Sequence, residues 1–121
     1  MNDPKPRPGS GRSANRRHLC RFVDGRMEVQ GVILRMDLGL FCRTMDEMAT
    51  CPQKRVVFDF TRCPYLSSLF IGHLVDGVIR ARETGKDVEI LLSPELGKFF
   101  DGAQLFHLLT YQVVDAPGAP A

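Results

Sequence analysis

The chain has 121 residues, enough for one domain with a modest core, and its 44% hydrophobic and 25% charged content are ordinary for a globular protein. No apolar run approaches the roughly 18–20 residues of a membrane-spanning helix, and the start of the chain lacks the apolar segment of a secretory signal. The sequence therefore predicts a cytoplasmic protein without membrane insertion.

Charge divides the chain into a basic start and a slightly acidic remainder. Residues 1–21 carry six basic residues against one acidic residue, a net charge of +5, whereas residues 22–121 carry ten against thirteen, a net charge of −3. Residues 1–17 are also rich in Pro and Gly, so we expect a disordered basic tail there and a flexible end at 116–121. Nucleic-acid binding would depend on this tail alone, because no known reading motif is present, and no direct nucleic-acid partner is expected.

The first predicted element is a β-hairpin. Asp24 and Gly25 separate two β-prone runs, residues 19–23 and 26–30, and the Asp-Gly pair favours a type I′ turn, in which both central residues have positive φ. Gly31 then breaks the pattern, so the hairpin should end there.

An amphipathic helix is predicted over residues 37–49, because apolar side chains recur there at near-helical spacing. Its apolar positions are Leu38, Phe41, Met45 and Met48. The helix should end before Pro52, and residues 55–60, rich in β-branched and aromatic side chains, should follow as a strand. Apolar side chains on both faces of this run, with Asp59 the exception, indicate a central strand.

A second helix should begin at two adjacent serines, Ser67 and Ser68. It should end near Gly85, because glycine readily adopts the left-handed conformation that follows many helices. The apolar stripe of this helix consists of Ile71, Leu74, Val75, Val78 and Ile79.

The remaining pattern predicts a strand, a third helix and a last strand. Residues 88–92 form an apolar β-prone run, and Ser93 followed by Pro94 is typical of the capped start of a helix. The Asp-Gly pair at 101–102 should interrupt that helix, and residues 111–114 should form the last strand. The order β-β-α-β-α-β-α-β predicts a single α/β domain, with an N-terminal hairpin and helices packed on a mixed, mainly parallel sheet.

The residue types that usually carry catalysis or bind metals form no recognisable site in the sequence. The four cysteines have no Cys-x-x-Cys spacing and are expected to be reduced, mostly buried thiols, and the three histidines have no spaced carboxylate partners. No glycine-rich phosphate loop and no Gly-x-Ser-x-Gly motif occur. We therefore expect no catalytic residues, no metal and no cofactor, and the protein is predicted not to be an enzyme.

The serine pair allows two interpretations. As an N-cap, Ser67 would accept a hydrogen bond from a backbone N–H of the first turn, with Leu66 and Ile71 as the apolar pair that often flanks a helix start. Ser67→Ala would then cost about 1 kcal/mol. Alternatively, the helix N-terminus would stabilise a phosphate on the serine, and the phosphate would change binding without melting the helix.

Apolar side chains beside the serines indicate a binding surface. Leu69 lies at the same angular position as the polar His73, so it should be exposed, and Phe70 should widen the patch. Gly72 and Gly77 lie inside the same helix, where each costs about 0.8–1 kcal/mol relative to Ala. Close packing on the sheet is the expected reason for these glycines, and close approach of another backbone is the alternative.

From residue 19 to residue 114 the sequence resembles the STAS domain family, typified by bacterial anti-sigma factor antagonists. The resemblance rests on the opening hairpin, "RVVFDF" with its acidic residue, the "YLSSLFIGHL" turn and helix, "RARETGKDVEILLSPEL" and the terminal "FFDGAQLFHLLTYQVV". It implies a single STAS-like domain over residues 18–115. At the serine pair the chain departs from the family pattern, because the preceding Asp is Leu66 here and the following Gly is Leu69.

The resemblance implies a partner-switching function. In such antagonists the unphosphorylated protein binds an anti-sigma serine kinase and so releases a sigma factor; the kinase then phosphorylates a serine and ends the binding, and a phosphatase resets it. The phosphoacceptor maps onto Ser67, with Ser68 as the second choice. The expected partner-binding residues are Leu66, Leu69, Phe70 and His73. The alternative is a STAS subunit that is not phosphorylated, for example in a lipid ABC transporter or a signalling assembly, which Leu66 in place of the family's Asp favours.

Overall fold

Residues 19–114 are described by a computed structural model of the chain, and they form five strands and three helices. The strands are β1 (Cys20–Val23), β2 (Arg26–Gln30), β3 (Arg55–Arg62), β4 (Asp87–Leu92) and β5 (Gln112–Val113), and the helices are α1 (Leu38–Thr50), α2 (Ser68–Glu83) and α3 (Pro94–Gly102). Short 3-10 turns precede α1 and follow α3. The expected tail at 1–17 and the expected flexible end at 116–121 lie outside the described residues.

The strands form one sheet in the order β1-β2-β3-β4-β5. β1 and β2 are antiparallel, whereas each later pair is parallel, so the predicted fold class, a mixed and mainly parallel sheet with an N-terminal hairpin, is confirmed. β3 is the central strand, as its apolar composition predicted. Because each crossover moves to the next strand in the same direction, right-handed connections place the three helices on one face of the sheet.

The buried side chains lie between that face and the helices. On β3, every second residue points inwards, and the inward residues are Val56, Phe58 and Phe60. They pack in one cluster with the inward residues of the neighbouring strands and with apolar side chains of all three helices. None of the helices within residues 19–114 is long and apolar enough to span a membrane.

The opposite face of the sheet carries charged side chains paired across strands. Arg26 on β2 binds Asp59 on β3 at 2.5 Å, and its guanidinium also lies 3.3 Å from Glu28. Arg55 on β3 lies 3.7 Å from Glu89 on β4. Opposite charges on neighbouring strands stabilise a sheet face that faces water.

Two of the predicted turns have the predicted geometry. Asp24 and Gly25 both have positive φ, 48° and 80°, as a type I′ turn requires. Gly85, with φ 85°, follows the end of α2. The N–H of Gly85 bonds the carbonyl of Arg82, and the N–H of Lys86 bonds the carbonyl of Ala81. This pair of bonds is the Schellman motif, which satisfies the last carbonyls of a helix.

The structure corrects three details of the predicted helices. Ile79, placed in the apolar stripe of α2, is 49% exposed because α2 presents that side to solvent. α3 continues through the Asp-Gly pair to Gly102, since glycine near a helix end costs little.

The close approach at Gly77 is not to the sheet: a Cβ built there would lie 2.0 Å from Cε of Met45, so this glycine lets α1 and α2 pack together. A Cβ built on Gly72 would have no neighbour within 4 Å, so no close contact explains this glycine.

Candidate functional site

The carboxyl ends of the parallel strands bring three connecting loops to one edge of the sheet. The loop after β2 is tied to the end of β3, because the N–H of Gly31 bonds the carbonyl of Arg62 at 2.9 Å. The loop after β3 is tied in turn to the start of α3, because the hydroxyl of Ser93 donates to the carbonyl of Cys63 at 2.7 Å. Side chains from several loops are therefore brought close together at this edge.

Ser67 lies at this edge as the residue before α2. Its backbone is extended, with φ −70° and ψ 162°, and its carbonyl accepts the first helical bond, from the N–H of Ile71 at 3.0 Å. The predicted N-cap position is therefore confirmed. The predicted cap bond is wrong, however, because the Ser67 hydroxyl accepts no hydrogen bond from the first turn.

Ser93 shows what a working cap looks like in the same chain. Its backbone is also extended, and its hydroxyl accepts from the N–H of Leu96 at 3.1 Å. Ser67 has the same backbone conformation without that bond, so the stability loss of about 1 kcal/mol expected for Ser67→Ala does not apply. Ser67 is half-buried and Ser68 is exposed, and neither hydroxyl is used to cap α2.

Two of the four predicted partner-binding residues are buried in this fold. Leu66 and Phe70 are each 1% exposed. The ring of Phe70 packs edge-on against that of Phe41 on α1, with centroids 5.0 Å apart. The expected exposure of Phe70 is therefore wrong, because the inward face of α2 directs its ring into the core. The turn after β3 directs the side chain of Leu66 into the core as well.

Of the other two predicted residues, Leu69 lies on the surface as the sequence predicted, whereas His73, expected on the polar face, packs against the first helix. Leu69 is 40% exposed in the first turn of α2, as expected from its angular position. His73, one turn further along, is half-buried, with its Nδ1 3.8 Å from Sγ of Cys42 on α1. Leu69 therefore belongs to the surface, and His73 to the contact between two helices.

Sequence reasoning missed most of the apolar side chains at this edge. Together with Leu69, we call the following residues the carboxyl-edge surface: Val32, Leu34, Met36, Tyr65 and Phe99. Met36 is 77% exposed, and the ring of Tyr65 lies 6.0 Å from that of Phe99. One signal was available, since the apolar run "VILRM" at 32–36 follows the hairpin without helix or strand periodicity.

A buried carboxylate fixes the end of β3 from which the serine turn departs. Asp59 Oδ1 accepts from the backbone N–H of Thr61 at 2.9 Å and from its hydroxyl at 2.7 Å, and Oδ2 accepts from Arg26 at 2.5 Å. Burial alone would raise the pKa of Asp59, but these hydrogen bonds outweigh it and hold the pKa below its ordinary value of 3.8. The carboxylate is therefore charged and fully paired at neutral pH.

Within residues 19–114, no three His, Cys, Asp or Glu side chains gather as metal ligands. A depression of about 290 Å³ on the open sheet face is lined by Arg26, Gln30 and Asp59 among others. Because Arg26 and Asp59 bind each other there, this depression offers a ligand few unpaired charges.

No protein-family model matches this chain, and no curated protein matches it significantly.

Proposed function

We propose that this protein is a STAS-type regulatory protein, an anti-sigma factor antagonist that works by partner switching. In this proposal it binds a protein partner, an anti-sigma serine kinase, through the carboxyl-edge surface. Phosphorylation of Ser67 ends the binding, and a phosphatase restores it. The observation that carries the proposal is a serine hydroxyl at the start of a helix, not used as a cap, beside exposed apolar side chains.

The apolar character of the surface supports a protein partner. Six large apolar side chains are exposed on the loops after β2 and β3 and on two helices near one edge of the sheet, and exposed apolar surface of this kind marks sites of protein association. Aromatic side chains and Met, here Tyr65, Phe99 and Met36, are enriched in such interfaces.

The position of the serine supports a switch that leaves the fold unchanged. A phosphate adds about −1.5 to −2 charges, and unpaired N–H groups and the helix dipole at the start of α2 favour negative charge. The same charge would have to be desolvated if a partner covered Leu69, one or two residues away. Phosphorylation would thus weaken association while α2 stays folded.

Site mapping after co-expression with a candidate anti-sigma serine kinase tests the proposal. We expect the intact mass to rise by one phosphoryl group, and peptide mapping to place it on Ser67. Ser67→Ala should abolish the mass increase and Ser68→Ala should preserve it. Because the Ser67 hydroxyl makes no cap bond, Ser67→Ala should keep the melting temperature of the native protein.

Two outcomes of this experiment count against the proposal. Phosphate on Ser68 alone would identify Ser68 as the phosphorylation site and contradict the assignment of Ser67. No phosphate on either serine, although the kinase phosphorylates itself and binds the protein, would leave a binding module without a phosphorylation switch.

The burial of Leu66 favours a second candidate of that kind. Leu66 occupies the position of the family's Asp before the serine pair, and it fills the core. A buried apolar side chain thus stands where the family has a carboxylate before the phosphoacceptor. A STAS subunit that docks on a transporter ATPase without being phosphorylated would show stable binding to that ATPase, unchanged by Ser67→Ala.

A further inference from the structure

The four thiols of the described residues have very different surroundings. Cys20 and Cys63 lie in the core, 5% and 0% exposed. Burial raises the pKa of each of these two thiols to about 11, so they stay protonated and unreactive at neutral pH. Cys42 and Cys51 are both half-buried on α1 or at its end, so solutes can reach either of them.

The two accessible thiols differ in what lies beside the sulfur. The thiol of Cys51 donates to the carbonyl of Met48 at 3.4 Å, a group that cannot take a proton. Sγ of Cys42 lies 3.8 Å from Nδ1 of His73 on α2, within reach of a weak S–H···N hydrogen bond when the ring proton is on Nε2. A thiol with a neighbouring imidazole is the usual arrangement of an activated cysteine.

The packing of the helices holds this pair in place. Three polar contacts follow one another along the interface between α1 and α2. The first is Cys42–His73, and the second is the ion pair of Asp46 with Arg80 at 3.0 Å. In the third, the hydroxyl of Thr84 donates to the carbonyl of Ala49 at 3.5 Å. Gly77 lets the helices approach closely in the same interface.

The charges around the pair are largely neutralised. Arg80 binds both Asp46 on α1 and Asp76 on α2, and Arg43, beside Cys42, is exposed. Neither carboxylate is therefore left unpaired to repel a thiolate. Gly39 and Arg43, near Cys42 on α1, and Leu69, four residues before His73 on α2, are exposed, and the pair itself is half-buried rather than enclosed in the core.

We propose that Cys42 is a peroxide-reactive thiol and that His73 is the base that takes its proton. The thiol proton passes to Nδ1 of His73, the sulfur attacks one oxygen of a hydroperoxide, and the O–O bond breaks. The departing hydroxide or alkoxide takes the proton back from His73 and leaves as water or alcohol. Cys42 is oxidised by two electrons to the sulfenic acid, and the peroxide is reduced. This site does not depend on the proposed partner-switching function.

The experiment uses the full-length native protein, hydrogen peroxide as the probe, and dimedone to trap sulfenic acids, with peptide mapping over time. We expect Cys42 to be trapped roughly tenfold faster than Cys51, since base assistance commonly accelerates proton transfer by at least that factor. His73→Gln should slow trapping at Cys42 by a similar factor and leave Cys51 unchanged. His107→Gln, a matched change at an exposed histidine, should alter neither rate.

A repeat in urea separates the effect of the fold from that of the local sequence. In the unfolded chain the four thiols should react at similar rates, because the contact with His73 is lost. Equal trapping of Cys42 and Cys51 in the native protein overturns the proposal, and so does an unchanged Cys42 rate in a folded His73→Gln variant. If that variant does not fold, the native and urea rates of the unsubstituted protein decide alone.

Discussion

At the scale of single residues, Asp59 shows how a buried charge can be tolerated on a sheet face. The residue is 7% exposed, and its two carboxylate oxygens accept three hydrogen bonds, from Thr61 and Arg26. Without them, the cost of desolvating the charge would favour the protonated acid. The sequence showed that Asp59 was exceptional in an apolar strand, but only the register of β2 against β3 brings Arg26 within reach.

The lowered pKa of Asp59 predicts how stability depends on pH. A carboxyl whose pKa is lower in the folded than in the unfolded chain stabilises the fold above its unfolded value, and this contribution disappears as the pH falls through the folded value. Asp59→Asn should therefore lower the free energy of unfolding by about 1–3 kcal/mol at pH 7. The difference in the free energy of unfolding between Asp59→Asn and the unsubstituted protein should shrink below pH 3.8. Urea unfolding of both proteins between pH 7 and pH 3 measures this difference.

Asp76→Asn is the matched control, because Asp76 forms only an exposed ion pair with Arg80. Its effect at pH 7 should stay below about 1 kcal/mol. A difference between Asp59→Asn and the unsubstituted protein that stays constant down to pH 3 would show that the carboxylate contributes no charge-dependent stability.

At the scale of elements, α2 contains two glycines with opposite surroundings. Gly72 is exposed with open space where a Cβ would be, so Gly72→Ala should raise the free energy of unfolding by about 0.5–1 kcal/mol through helix propensity. Gly77 faces the buried Met45, and Gly77→Ala should lower that free energy by about 1 kcal/mol because the Met45 side chain must move. Urea or thermal unfolding of the two variants measures both signs.

A double-mutant cycle identifies the cause of the second effect. In a Met45→Ala background the methyl group that meets the new Cβ is gone, so Gly77→Ala should become stabilising there. The explanation fails if Gly77→Ala is equally unfavourable with and without Met45.

The elements themselves were largely predictable from sequence, and the site was predictable only in part. Apolar periodicity and turn residues such as Asp24-Gly25 and Gly85 act locally, so they predict strands, helices and their ends. Exposure in the first turn of a helix also depends on where the preceding turn directs the chain. Periodicity placed Leu69 correctly. Phe70 also fits the helical spacing, four residues before Leu74, so its burial could have been predicted from a stripe centred one position earlier. The burial of Leu66, in the turn before α2, depends on tertiary packing that periodicity does not show.

At the scale of the whole molecule, the two faces of the sheet and its carboxyl edge have different chemical character. The helices cover one face of the sheet, and the other face is covered by its own ion pairs. Half of the large apolar side chains exposed among residues 19–114 then belong to the carboxyl-edge surface. A parallel sheet makes this possible, because its loops after β2, β3 and β4 must all leave from the same edge.

This distribution predicts which surface substitutions weaken partner binding. Leu69→Glu and Met36→Glu place charges in the carboxyl-edge surface and should weaken binding of a candidate anti-sigma kinase at least about tenfold. Ile79→Glu is the matched control, since Ile79 is as exposed as Leu69 but lies ten residues along α2, about 15 Å away. Calorimetric titration measures the affinities, and unchanged melting temperatures show that the fold is intact. Equal losses from Ile79→Glu and Leu69→Glu would place the interface along the side of α2 rather than at the carboxyl edge.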